Sequence, residues 1–397
     1  MFETLARVPD DPLLGVTAAF RKDTTPLKVD LGVGVYKDES GNTPVPLAVR
    51  AAEQQVLAAQ STKTYLSPVG NPGFNAQVLE LALGSDHASR KGEAVGVQAP
   101  GGSGALRLGA ELLRLSNPAA IVHVSDPTWA NHVPLITGSG LKIERYPYYD
   151  PQAHAVLIER MLAYLDALPA GAVVLLHASC HNPTGQDLTP PEWERVAEVV
   201  ARRRLLPFLD IAYQGLGTDL DADAASIRLF ARKVPEVLIA VSCSKNFGLY
   251  RERTGLLVLI ADSPDRASIG AGQLGRLART IYSMPPDHGA AIVDRVLSQP
   301  PLRAQWAGEL AQMAKRINDL RALLAAALAA RMTGRDFSWI TRQKGMFSRL
   351  AIAPEKVIEL RDRHHVYTAP DGRINIAGVS PGNVEHVAQS LAAVMNG

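Results

Sequence analysis

Six short apolar runs punctuate the middle of the chain: Ala94–Val97, Ala120–Val124, Val173–His177, Leu205–Asp210, Val237–Ser242 and Leu256–Ile260. They are rich in Val, Ile and Leu and show no polar alternation. A strand with one face in water alternates; a strand covered on both faces does not. Helical patterns lie between several of them, such as Glu192–Arg204, which Thr189 opens as an N-cap with Pro190 and Pro191 just inside. Strands joined through helices cross over in parallel. The expected fold is therefore α/β, a mostly parallel sheet flanked by helices. Ligands of such sheets bind beyond the carboxyl ends of the strands. His181 and Asn182 follow one run, Asp210 ends another, and Ser242-Cys243-Ser244-Lys245 follow a third. These groups should converge.

The C-terminal part reads differently. Trp306, Leu310, Met313, Ile317, Leu320 and Leu324 recur at steps of four and three, one face of a long helix. A smaller α/β unit should follow from about Phe337, with Ile374–Ala377 as a strand and Val384–Met395 as a last helix. The first ~45 residues are punctuated by Pro and Gly. The expected division is an N-terminal arm and part of a small domain over 1–45, a large domain over 46–312, and the small C-terminal domain over 313–397.

At 397 residues, 47% hydrophobic and 20% charged, the chain can bury a large core without disulfides or structural metal. Its 41 basic and 39 acidic side chains balance to +2, which gives nucleic acid no polybasic face to bind. No apolar run reaches the ~18–20 residues of a membrane span. No secretory signal core is expected in the first residues, which carry Glu3, Asp10 and Asp11. The two cysteines, Cys180 and Cys243, form no metal-binding spacing and fit a reducing, cytoplasmic setting.

Three segments carry candidate chemistry. Lys245 sits at the mouth of a buried strand, where desolvation and nearby cations turn an amine into a nucleophile. Ser242, Ser244 and Arg253 around it could hold a phosphate. Taken alone, a lysine is read first as part of a solvated loop, with a serine capping the next helix; the flanking hydroxyls and arginine count against that. Pro100-Gly101-Gly102-Ser103-Gly104 follows a run and opens a helix, offering free N–H groups to an anion. It is neither a dinucleotide fingerprint nor a Walker loop, because Arg107 stands where the third glycine belongs and no Gly-Lys-Ser/Thr follows. Asp210, with Tyr213 three residues on, is a carboxylate that burial makes costly unless it is paired, for example with a protonated ring nitrogen. His177 and His181 are four apart, but Asn182-Pro183-Thr184-Gly185 admits no helix there, so a turn is favoured over a metal site.

Taken together, these motifs resemble the class I aminotransferases, in the aspartate/aromatic branch of the fold-type-I pyridoxal-phosphate enzymes. The resemblance runs from Asp11-Pro12-Leu13-Leu14-Gly15 and Leu31–Asp38 through Ser125–His132, His181–Gly185, Asp210–Gly215 and Ser244–Phe247 to Gly372–Gly378. It implies that Lys245 forms the internal aldimine with pyridoxal 5'-phosphate and shuttles the proton. Asp210 would pair with the pyridinium nitrogen, backed by His132. Tyr213 and Asn182 would donate to the phenolic oxygen, and Trp129 would stack on the ring. Gly102, Ser103, Ser242, Ser244 and Arg253 would hold the phosphate. Arg373 would grip the substrate α-carboxylate, with Gly34 and Asn182 assisting. Tyr65 and Arg279 would come from the neighbouring subunit, to the phosphate and the distal carboxylate, so a homodimer with shared sites is implied.

The implied activity is ping-pong transamination between amino and 2-oxo acids, moving the amino group of aromatic amino acids, aspartate or both to 2-oxoglutarate. Strict aspartate transamination is the alternative. Val35, Lys37 and Thr43 look like the aspartate type, whereas Gly102-Ser103-Gly104, Asp126–Trp129 and Leu206–Asp210 look like the aromatic one. Met284 and Arg349 depart from both. Another pyridoxal-phosphate reaction, a non-catalytic regulator and a nucleotide-dependent oxidoreductase are the remaining rivals. The paired arginines, the retained Lys245 and the failed glycine fingerprint argue against them in turn.

Overall fold

The computed structural model describes residues 2–6, 12–85 and 92–396. Asp11 of the first family-like motif lies outside them. The strands, in chain order, are β1 (Val29–Asp30), β2 (Ala94–Pro100), β3 (Ile121–Asp126), β4 (Lys142–Pro147), β5 (Tyr149–Asp150), β6 (Ala155–Val156), β7 (Val173–His177), β8 (Leu206–Ile211), β9 (Val237–Ser242), β10 (Thr254–Ile260), β11 (Phe347–Arg349), β12 (Val366–Tyr367) and β13 (Arg373–Asn375).

Seven of them form one sheet in the order β2-β10-β9-β8-β7-β3-β4. All neighbours pair in parallel except β10, which runs antiparallel to both β2 and β9. The reversal has a simple cause. Only a short loop separates β9 from β10, and without a crossover helix the chain must turn back. The sheet is covered on both faces. Along β7, Val174 and Leu176 join one buried cluster, while Val173 and Leu175 join the other. That two-sided burial is why the runs lack polar alternation.

The helix expected after Thr189 spans Pro190–Arg203. The Glu192 carboxylate accepts from the Thr189 backbone N–H at 2.7 Å and from its hydroxyl at 2.8 Å. Such a cap contributes about 1 kcal/mol. The long helix spans Pro300–Arg331 and buries Trp306, Leu310, Ile317, Leu320 and Leu324, with Met313 half-buried. The division expected at residue 312 falls inside it. Trp306 stacks on Phe247 at 4.4 Å and donates from its indole N–H to the Asn246 carbonyl at 2.8 Å. The helix thereby braces the loop that bears Lys245.

The N-terminal segment joins the C-terminal unit. β1 pairs in parallel with β12. Asn375 donates to the carbonyls of Val33 and Val35, both at 2.7 Å. One expected strand is shorter than its apolar pattern: Ile374–Ala377 gives the strand Arg373–Asn375, followed by a 3-10 turn over Ile376–Gly378. The Asn375 side chain accepts from the Ala377 N–H at 3.0 Å and so ends the strand. The last helix spans Val384–Asn396. Among the described residues no helix is long and apolar enough to cross a membrane.

Candidate active site

Parallel strands deliver their carboxyl ends to one edge, and the antiparallel β10 delivers its start there. β2 therefore brings Gly101, β3 brings Trp129, β7 leads to Asn182, β8 carries Asp210, β9 leads to Lys245, and Arg253 arrives just before β10. These segments line a cavity of about 280 Å³, whose walls include Gly34, Gly102, Ser103, Trp129, Asn182, Asp210, Tyr213, Ser242, Ser244, Lys245, Arg253 and Arg373.

One end of the cavity is an anion cradle. A helix starts at Gly101. A Cβ on Gly101 would lie 2.5 Å from the Arg253 guanidinium, and one on Gly102 would lie 3.0 Å from Ser242 Cβ. The backbone thus approaches the arginine and serine as only glycine allows. Arg253 itself holds a left-handed backbone, φ +52, at a non-glycine position. Free helix N–H groups, hydroxyls and a guanidinium suit a phosphate.

The middle is polar and largely buried. Lys245 Nζ lies 5.0 Å from the centre of the Tyr213 ring. Burial lowers its pKa from 10.5 to about 8; Asp210 opposes the shift, and Arg253 and Arg373 add to it. Asp210 is buried, which alone would raise its carboxyl, but the His132 hydrogen bond, with the charge of Lys245 adding to it, brings the pKa below the ordinary value. His132 Nε2 stands 3.0 Å from Asp210 Oδ2. Behind it, Thr128 Oγ1 lies 2.8 Å from His132 Nδ1 and 3.2 Å from His177 Nε2. Burial, with help from His132, drives the His177 pKa down to about 3, so that ring is neutral. His132 turns its Nε2–H to the Asp210 carboxylate and leaves Nδ1 facing Thr128. Thr128 then donates to Nδ1 and accepts from His177.

The far end carries Arg373. One Nη donates to Asn182 Oδ1 at 3.2 Å and the other to the Gly32 carbonyl at 3.0 Å. The guanidinium lies 4.3 Å over the Phe347 ring. Its Nε is buried without a partner. A buried cation with a spare donor calls for an anionic ligand. Asn182 Nδ2 in turn reaches the Tyr213 hydroxyl at 3.4 Å.

The family model described as aminotransferase class I and II matches residues 26–391. The chain belongs to this family. It is an aminotransferase. It is 44% identical over 394 residues to the aromatic-amino-acid aminotransferase of Pseudomonas aeruginosa, covering 99% of this chain and 98% of that one. It is 40% identical over 396 residues to the aspartate aminotransferase of Escherichia coli, covering all of both. The crystal structure of the aromatic-amino-acid aminotransferase from Burkholderia pseudomallei, covalently bound to pyridoxal phosphate, superposes with a TM-score of 0.97 at 46% identity, covering 99% of each chain.

Of the residues singled out in the sequence of this aminotransferase, all but three line the cavity. His132 stands one step behind it, against Asp210, and makes an edge-on contact with Trp129 at 5.2 Å. Tyr65, 89% exposed, and Arg279, also exposed, lie outside it within this chain. The sequence reading missed Thr128, the role of His177, and Phe347, whose ring supports Arg373. An apolar Phe before Ser348 carries no signal of its own. The turn expected at His181–Gly185 is present, and it is also held from behind: the Asp187 carboxylate accepts from the N–H groups of Cys180 and His181 at 2.7 and 2.8 Å.

Proposed function

We propose that this aminotransferase moves the amino group of aromatic amino acids and aspartate to 2-oxoglutarate, using pyridoxal 5'-phosphate. The observation that carries the reading is Lys245, an amine brought near neutrality beside Asp210, in the same cavity as the Arg253 cradle and the unsatisfied Arg373. The names of the relatives support both donor classes.

The residues fit the cofactor. The glycine-lined cradle matches a phosphate, Asp210 matches a protonated ring nitrogen, and the Trp129 ring borders the space between. When bound, pyridoxal phosphate supplies an aldehyde for the amine and a ring that accepts electrons. The chain supplies the rest. Ser242, Ser244, Arg253, Gly102 and Ser103 would anchor the phosphate. Arg373, oriented by Asn182 and Gly32, would fix the α-carboxylate, with Gly34 beside it. That grip turns the substrate Cα–H toward Lys245, whose amine, made easier to deprotonate by burial, takes the proton from one atom and returns it to another. Tyr213 and Asn182 would donate to the ring oxygen.

The active unit we propose is a homodimer. Tyr65 and Arg279 are exposed on this chain, as residues given to a neighbouring site would be before assembly. Arg279 would bind the distal carboxylate of aspartate or 2-oxoglutarate. Cys180 and Cys243, both buried and free, are compatible with the cytoplasm.

The test is a panel of amino donors with 2-oxoglutarate, comparing kcat/KM for aspartate, phenylalanine and tyrosine in the wild type and in Arg279→Ala. Dicarboxylic donors should lose more than aromatic ones. Activity on aspartate alone would reduce the reading to the strict type. Borohydride reduction of the loaded protein should fix the cofactor to the one peptide containing Lys245, and label elsewhere would refute the site.

A further inference from the structure

Tyr65 and Arg279 belong to segments far apart in sequence, yet the two are fastened together within one chain. The Leu66 N–H, next to Tyr65, donates to Met284 Sδ at 3.2 Å across 218 positions. Arg279 donates to Ser283 Oγ. Ser283 has a left-handed φ of +69, and the Met284 N–H folds back to the Tyr282 carbonyl at 2.8 Å. One tight turn thus holds the arginine on one side and the tyrosine segment on the other.

The centre of the connection is Gln98, fully buried on the edge strand β2. Its Oε1 accepts from the Asn71 N–H at 2.8 Å, and its Nε2 donates to the Pro286 carbonyl at 2.6 Å. Its own N–H donates to the Val69 carbonyl at 3.0 Å, and its carbonyl receives the Tyr282 hydroxyl at 3.5 Å. The Asn71 side chain adds a bond to Asp287 at 3.0 Å. Gly70 is pressed so close that a Cβ there would sit 2.4 Å from Gln98 Cβ. The partners fix the amide's orientation, because Asn71 offers only a donor and Pro286 only an acceptor. Neither a methionine nor a carboxylate can satisfy both. Gln98 also stands three residues before Gly101, where the anion cradle begins.

We infer that Gln98 is a positioning residue whose carboxamide bolts the Tyr65 segment to the Arg279 segment, so that both groups reach the neighbouring subunit's site as one unit. This rests on the proposal that the two residues cross between subunits. A buried amide used only to seal a sheet edge would lower stability when lost and would leave substrate preference alone. A bolt would shift preference as well, because it sets where Arg279 is held.

The experiment measures single half-reactions of aspartate and of phenylalanine, and equilibrium dialysis of pyridoxal phosphate against the cofactor-free protein. Gln98→Met, which keeps the length and loses the amide, should lower the aspartate specificity constant about tenfold more than that of phenylalanine, the scale of one buried hydrogen bond. It should also weaken cofactor binding by a similar factor. In an Arg279→Ala background the same change should leave the aspartate-to-phenylalanine ratio unmoved while still weakening the cofactor. Equal losses on both donors, or a ratio that still shifts without Arg279, would overturn the inference. If Gln98→Met does not fold, Met284→Leu removes only the sulfur acceptor at the surface end of the bolt. It should move the same ratio severalfold, and no movement would overturn the inference too. The subunit-crossing proposal is tested separately by mixing Lys245→Ala and Arg279→Ala protomers. Recovered aspartate turnover supports crossing. Failure to recover it refutes crossing, whatever Gln98→Met does in uniform preparations.

Discussion

His132 Nε2 and Asp210 Oδ2 meet at 3.0 Å with both residues buried, and this pair lowers the pKa of a carboxyl that burial by itself would raise. Asp210 faces the cavity; His132 does not. Asp210→Asn should therefore cost at least about 10²–10³ in kcat/KM, the scale of one preorganised charge in a site. His132→Asn should cost about tenfold, the scale of a supporting partner. Steady-state kinetics on aspartate separate the two, and equal losses would place both in contact with the reacting molecule.

The sign of the acid dependence follows from the same pair. A carboxyl with a lowered pKa in the folded state stabilises the fold above its unfolded value, about 3.9. That contribution is lost as pH falls through the lower folded value. His132→Asn removes the largest interaction that offsets the burial of Asp210, so its pKa should rise. Acid unfolding followed by circular dichroism should then begin at a higher pH than in the wild type. An unchanged midpoint would mean that His132 does not set the charge of Asp210.

Lys245 runs the opposite way. Burial lowers its pKa from 10.5 to about 8, so the folded protein prefers the neutral amine. Below pH 8 both states are protonated and the fold bears the full cost. Between 8 and 10.5 the unfolded chain binds more protons, so stability rises with pH. The difference corresponds to on the order of 3 kcal/mol. Cofactor-free Lys245→Met should be more stable than the wild type at pH 7 by that order, and the gap should close by pH 10.5. Denaturant titrations at several pH values measure it directly. A gap that stays constant would show that the amine is not desolvated.

Much of this site was legible because its chemistry sits at strand ends. A run such as Leu205–Asp210 announces both a buried strand and a carboxylate at its mouth, and parallel topology then forces the mouths together. The reversal of β10 goes beyond the parallel crossovers expected, and it follows from the missing helix between Val237–Ser242 and Leu256–Ile260. What the sequence hid depends on packing between distant segments. Thr128 reads as a turn residue until His132, at the start of a short helix, and His177, at the end of β7, close on it. Gln98 reads as one more polar residue in a strand until Asn71 and Pro286 meet its amide. The shortened strand at Arg373 is of the same kind, because Asn375 uses its side chain to cap its own continuation.

Arg373 lies 4.3 Å over Phe347 with an unpaired Nε, a planar donor set held ready for two oxygens. Lysine keeps the charge but cannot present paired donors. Arg373→Lys should raise the KM of every amino-acid donor about 10²-fold, aspartate and phenylalanine alike, consistent with loss of a charge-assisted bidentate contact. This uniformity distinguishes it from Arg279→Ala. A loss confined to one donor class would show that Arg373 does not bind the carboxylate common to all.

Gly185 closes the turn that presents Asn182, and its backbone is left-handed at φ +69. A Cβ there would fall 2.1 Å from the Phe347 carbonyl oxygen, a backbone atom that Arg321 also holds through its guanidinium. The surroundings cannot yield: the Gly185 N–H donates to His181 at 2.7 Å, and its carbonyl accepts from Lys344 at 2.7 Å. Gly171 offers a control, since its φ of +81 is equally unusual but nothing lies within 4 Å of its missing Cβ. Gly171→Ala carries backbone strain alone and should cost about 1 kcal/mol. Gly185→Ala adds the clash and should cost on the order of 3 kcal/mol or more. Because Arg373 leans on Asn182, the second variant should also raise KM for both donor classes, and the first should not. Denaturant unfolding together with steady-state kinetics on the two variants decides the matter, and equal destabilisation would mean that φ, not the close approach to Phe347, sets the requirement for glycine.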